Sequence, residues 1–331
     1  MKRMRDSAPR LRLPRLAVEP LRTGGIAAAY YGAAKIGLLQ ELVRGQVTPL
    51  WPPTGIALVC LLWWGARAVP GIAVGAFCVN VSIGPSPLAV VGITAGNTLA
   101  PVCSWLLLRR AGFRTALDRL RDAMALVVLG ALVGMVVSAT VGTGMLVLAD
   151  AVQGGDFWAA WSVWWTGDAM GVLVVAPFLL ALRTAGRPRD APWYRWAEAV
   201  ALLGATAGVT LVVSRTEIAL LFLVFPLLIW AAFRFRLLGA AACSLLVSVL
   251  VVSAAADAAG PFRGHGLAAQ MFILQAFNGT AAMTALLLSA IVAERARTHL
   301  RIGYVCGLLS QAVTALEEEL PAEARDRFPP P

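Results

Sequence analysis

Long apolar runs, broken by short polar or proline-bearing links, make up most of the chain. A helix rises about 1.5 Å per residue, so roughly 20 apolar residues cross the hydrocarbon core of a bilayer. The pattern predicts ten such helices, at about 22–43, 52–66, 69–84, 87–109, 122–149, 157–182, 196–213, 217–233, 237–257 and 267–293. The second and third are short and separated only by Ala66-Arg67-Ala68, so a re-entrant pair, and hence eight spans, is the alternative. The expected fold is an all-α polytopic membrane bundle.

One stretch organises the rest. Trp158 to Pro177 is long and apolar enough to cross a bilayer, yet it carries Asp168 near its middle. A carboxylate at that depth costs at least about 2.5–3.5 kcal/mol, so such residues face a bundle interior or a wet cavity. Trp161, Trp164 and Trp165 precede it by seven, four and three residues and share its helix face. They also suit an outer aromatic belt. Gly167 and Gly171 form a G-x-x-x-G step that admits close approach of another helix.

Three further polar residues fall inside predicted spans: Lys35, Asn97 and Asn278. Measured from the outer end of each span, Lys35 lies about 12 Å deep, and Asn97, Asp168 and Asn278 about 16 Å. This common layer raises the expectation of a Lys35–Asp168 pair. The asparagines could equally serve as helix glue. The loop Pro49-Leu50-Trp51-Pro52-Pro53-Thr54-Gly55 is a rigid lead into the second span, with Trp51 at the outer interface. The candidate ligand or polar-layer residues are Asp168, Lys35, Asn97, Asn278, Trp51, Trp164 and Trp165.

Composition agrees with the pattern. Of 331 residues, 59% are hydrophobic and 14% charged, with mean hydropathy +0.75, far outside the soluble range. The net charge of +10 would suggest nucleic acid in a soluble protein. Its distribution argues otherwise. With the N-terminus inside, 24 Lys and Arg fall in inner segments and only Arg44, Arg215 and Arg263 in outer loops. This is the positive-inside bias, so both termini are expected in the cytoplasm and nucleic-acid binding is excluded. No cleaved signal peptide is expected. Five cysteines in or near apolar runs, with no metal spacing, read as small buried hydrophobes. No metal or cofactor is expected.

Glycine pairs at four-residue spacing (Gly71/Gly75, Gly92/Gly96, Gly130/Gly134) suggest a compact bundle. Trp63-Trp64-Gly65-Ala66-Arg67 echoes Trp230-Ala231-Ala232-Phe233-Arg234, and Asn97 echoes Asn278, as parallel repeats six spans apart would.

Several ordered motifs resemble the MASE1 family of membrane-associated sensor domains. They are Trp51-Pro52-Pro53-Thr54-Gly55-Ile56-Ala57, Pro70-Gly71-Ile72, Gly75-Ala76-Phe77, Gly96-Asn97-Thr98-Leu99, and Trp161, Trp164-Trp165, Gly167-Asp168, Gly171 and Pro177. The resemblance implies an integral sensor of the inner or plasma membrane, of the kind that precedes histidine kinases and diguanylate cyclases. It also implies that a transporter-like membrane partner is possible, as in hexose-phosphate sensing.

The expected organisation is a basic arm (1–21), a membrane domain (22–294) and a short cytoplasmic tail (295–331). The tail departs from the family arrangement, with no nucleotide loop or GGDEF-like run. Ile302, Val305, Leu309, Ala312 and Leu316 have the spacing of a short coiled-coil seam. Glu294 to Arg297 and Gly307 to Leu316 faintly resemble a kinase dimerisation helix, but Val305-Cys306 stand where that class has His-Asp.

The expected function is a signal-input module that binds an unknown ligand or membrane cue in the bundle. Its partners would be lipid, a separately encoded kinase or other output protein, and a second copy. The alternative is a small-molecule transporter or permease. No enzyme is expected: Asp150 and Asp156 are loop acids and His265 stands alone.

Overall fold

The computed structural model describes residues 15–39, 48–185, 192–218 and 220–319. The arm up to residue 14, Arg44, Arg187, Arg189 and the tail from residue 320 lie outside the described residues. Among the described residues every regular element is helical, as lipid demands of a backbone with no water to bond.

The helices are α1 (Arg15–Leu38), α2 (Pro52–Trp64), α3 (Val69–Ile83), α4 (Pro87–Arg110), α5 (Leu120–Ala125), α6 (Val136–Leu148), α7 (Phe157–Met170), α8 (Ala176–Thr184), α9 (Trp193–Arg215), α10 (Phe225–Ala256) and α11 (Leu267–Glu319). Two π-helical stretches, Leu126–Val133 and Gly171–Val175, join α5 to α6 and α7 to α8. Proline opens α2 and α4, where its missing N–H costs nothing. Ser86 caps α4 by accepting from the Ala89 N–H at 3.2 Å. Seven continuous helical stretches among the described residues are long and apolar enough to cross a membrane.

Two of those stretches fold back on themselves. The backbone reverses at Gly65, with φ 62° and ψ −149°. Gly37 of α1 then lies against Pro52, at the start of α2, and Gly71 and Gly75 of α3 pack on Thr23, Ile26, Ala27 and Tyr30 of α1. So α2 descends beside α1 and α3 climbs again. Within α10 the reversal comes at Arg236, with φ 55° and ψ −148°. Arg234 pairs with Glu198 near the start of α9 at 2.6 Å, while Asp257, just past α10, pairs with Arg215 at the end of α9 at 3.2 Å. The arms therefore run antiparallel, as the separate spans 217–233 and 237–257 required. The two turns share one backbone geometry, and Trp64 precedes the first directly while Trp230 lies six residues before the second.

The end of α2, the link from α4 to α5 and the end of α8 gather at one end of the bundle. Arg183 stacks over Trp63 at 4.8 Å and Arg109 over Trp105 at 5.8 Å. At the same end Glu294 of α11 accepts from the Leu120 N–H at 2.9 Å, and Arg297 pairs with Asp118. From Leu267 to Glu319 α11 is one helix of 53 residues, about 80 Å long. The last expected span and the expected tail as far as Glu319 are thus a single rod. Leu300, Ile302, Tyr304, Val305, Leu309 and Val313 are exposed on it.

Candidate functional site

Asp168 sits on α7 and is only 2% exposed. Thr54, from the first turn of α2, donates its hydroxyl to Oδ1 at 2.6 Å. Ser138, from the first turn of α6, donates to Oδ2 at 2.5 Å. The Trp164 indole, one turn earlier on α7, also bonds the carboxylate. One side chain therefore ties three helices together with charge-assisted bonds, the strong kind.

A strap of irregular chain, Thr48 to Trp51, crosses above it. The Trp51 N–H donates to the Gly167 carbonyl at 3.0 Å, and Gln275 of α11 donates to the Pro49 carbonyl at 3.2 Å. The Trp51 indole also bonds the hydroxyl of the buried Tyr30. Glycine makes this closeness possible. A Cβ on Gly167 would lie 2.5 Å from the Thr48 carbonyl oxygen, and one on Gly171 would overlap that of Trp51. Gly55 of α2 faces the Gly171 backbone in the same way. The G-x-x-x-G step thus receives the strap and the start of α2. The π-helical turn begins at Gly171, and such turns are frequent at functional sites.

Beneath the strap is a cavity of about 40 Å³ lined by Thr48, Trp51, Asn80, Ile83, Asn97, Trp164, Gly167 and Asp168. That is room for a few waters. Of the residues singled out by sequence, Asp168, Asn97, Trp51 and Trp164 meet here. Trp165 does not: its indole donates to the Leu132 carbonyl at 2.7 Å, in the first π-helical stretch. Asn278 is buried on α11 and does not line the cavity; its neighbour Gly279 faces Met170.

Lys35 corrects the depth argument. It is exposed, with its ammonium 5.3 Å from the Tyr31 ring centroid, and it does not pair with Asp168. Depth fixes a residue's level and leaves its direction around the helix open. Thr54, Ser138, Asn80 and Tyr30 were missed as site residues. Hydroxyl residues are common in apolar helices, and no local signal links positions 30 and 114 residues away from Asp168.

Fold and site define a multi-pass helical membrane protein with a small polar chamber in its bundle. The MASE1 family model matches residues 23–296. The chain belongs to the MASE1 family, a family of membrane-associated sensor domains. Neither the curated proteins nor the solved structures compared with it gave a match.

Proposed function

We propose that this chain is a signal-input module of the inner or plasma membrane. It binds a ligand or membrane cue in the Asp168 chamber and signals through a partner, with no reaction of its own. One observation carries the reading. The strap that roofs the chamber is held from below by α7 and from the side by α11. A cue that favours one packing of the chamber over another shifts the population of both, and α11 carries the shift out of the membrane.

The same reading places both termini in the cytoplasm, with ten crossings counting the paired arms as spans. The gathering of basic junctions at one end supports it. The output partner is a separately encoded kinase or similar protein, with a second copy or a transporter-like membrane protein as further partners. The apolar residues exposed along the end of α11 offer the contact surface.

The test uses Cys306, exposed on α11, as the site for a fluorophore, with the exposed Cys78 replaced by Ala. A cue that stabilises the protein should change the emission in the parent and leave Asp168→Asn unchanged. A stabilising ligand that acts equally on both would refute the role of Asp168. A transporter is the second reading, favoured by the two matching reversals at Gly65 and Arg236. Flux of the stabilising ligand into proteoliposomes, lost in Asp168→Asn, would decide for it.

A further inference from the structure

The Asp168 carboxylate receives donors and no countercharge. Two hydroxyls and an indole bond it, and donors of this kind favour the charged form. Among the described residues no Lys, Arg or His pairs with it. The one lysine at a similar depth is exposed on α1. The one other titratable group beside it is the Tyr30 hydroxyl, which is neutral and already bonded by Trp51. A buried charge with no partner is costly, so its neutraliser must come from outside the chain.

The chamber has the donors to receive one. Asn97 is 9% exposed, lines the cavity, and has no hydrogen-bond partner among the described residues. Asn80 gives its amide N–H to Thr94 at 3.2 Å, which leaves its carbonyl oxygen for the cavity. Carboxylate, amide oxygens and water are the ligands of hard cations. No His or Cys lines the chamber, and no cluster of three or more His, Cys, Asp or Glu occurs among the described residues. Soft metals therefore have no ligands there. One carboxylate balances one positive charge, and about 40 Å³ holds an ion with part of its water.

We propose that the Asp168 chamber binds a small hydrated monovalent cation, held by Asp168 with the amide oxygens of Asn97 and Asn80. The proposal rests on the reading of this chamber as the sensing site. The ion would join α7 to α3 and α4, whose polar contributions to the chamber are Asn80 and Asn97. Proton and ion compete for the same carboxylate.

The experiment measures the unfolding midpoint of the full chain in detergent. Sodium, lithium, potassium or choline chloride is titrated at constant ionic strength. One alkali ion should stabilise, with the folded-to-unfolded ratio rising about 100-fold when the ion stands at 100 times its Kd. Choline should do nothing. Asp168→Asn should abolish the response. Asn97→Leu leaves the Thr54–Asp168–Ser138 bridge in place and should move the ion midpoint at least tenfold higher. Lowering the pH from 8 to 6 should also raise it.

Equal stability in all four salts overturns the proposal, as does a full response in Asp168→Asn. Stability that follows pH with no ion effect overturns it too, with the proton as the occupant. The Cys306 fluorophore separates this from the sensor reading. A protein that ignores every ion yet still reports another cue keeps the sensor and loses the cation. One that binds the ion while α11 stays silent does the reverse.

Discussion

Replacing Gly167 by alanine tests whether the strap is truly seated on α7. The new Cβ would lie 2.5 Å from the Thr48 carbonyl oxygen, with no other atom nearer than 3.7 Å. Such contacts need at least about 3 Å, so the strap must move by roughly half an ångström. It is not free to move, because Gly167 and Gln275 hold it at Trp51 and Pro49. Overpacking of this kind costs about 1–3 kcal/mol. Gly208→Ala is the matched control. Gly204 and Gly208 share the four-residue spacing, yet nothing lies within 4 Å of a Cβ on either. Alanine there gains up to about 1 kcal/mol in helix propensity. The propensity gain applies to both helices, so the two variants should differ by the overpacking cost of about 1–3 kcal/mol, a factor of roughly 5–150 in the folded-to-unfolded ratio. Reversible unfolding in mixed micelles, followed by tryptophan fluorescence, measures it. If Gly167→Ala unfolds together with Gly208→Ala, the seating of the strap is wrong.

Arg236→Gly should raise the free energy of unfolding by about 1 kcal/mol. The backbone at φ 55° and ψ −148° strains any side chain by roughly 1–3 kcal/mol, and the flexibility of glycine in the unfolded chain takes back part of the gain. Thr54→Val and Asp168→Asn, measured singly and together, should show a coupling of about 1–2 kcal/mol, as a charge-assisted bond at 2.6 Å implies; additivity within about 0.5 kcal/mol would deny the bond. Lys35→Gln should change stability by less than about 1 kcal/mol and add independently to Asp168→Asn, since the Lys35 side chain is exposed over the Tyr31 ring.

The helical arms were legible because hydrophobic runs and Gly or Pro punctuation are local signals. Each expected span corresponds to a helical stretch, even where two arms form one continuous helical assignment, as in α10. Asp168 was legible for the same reason: a charge in an apolar run stands out. Its partners were not. Thr54 and Ser138 resemble any other small polar residue in a membrane helix, and only packing brings them to one carboxylate. Glycine spacing carried half its message. Gly167/Gly171 admits a close neighbour as expected, although the neighbour is a strap with the start of α2, while Gly204/Gly208 has identical spacing and open surroundings. Spacing permits close approach; it takes a neighbour to use it.

The two reversals divide the labour unequally. The turns at Gly65 and Arg236 share backbone angles within several degrees, so the same hairpin is made twice from unrelated side chains. The first hairpin faces a chamber with Asn80, Asn97 and Asp168. The second packs against α8 and α11 around a void lined by Leu173, Val174, Pro177, Leu237, Ala241, Ser244, Ala282, Ala285 and Leu286. Polar side chains are costly in lipid unless something answers them. The first hairpin brings Thr54 and Asn80 to that chamber, where α4 and α7 add Asn97 and Asp168, while the second lies along α11. Communication then has to cross from one half to the other. Gln275 spans that gap in the described residues, from α11 to the strap at Pro49. That amide bonds the strap over the chamber to α11, beside the packing of Gly279 on Met170.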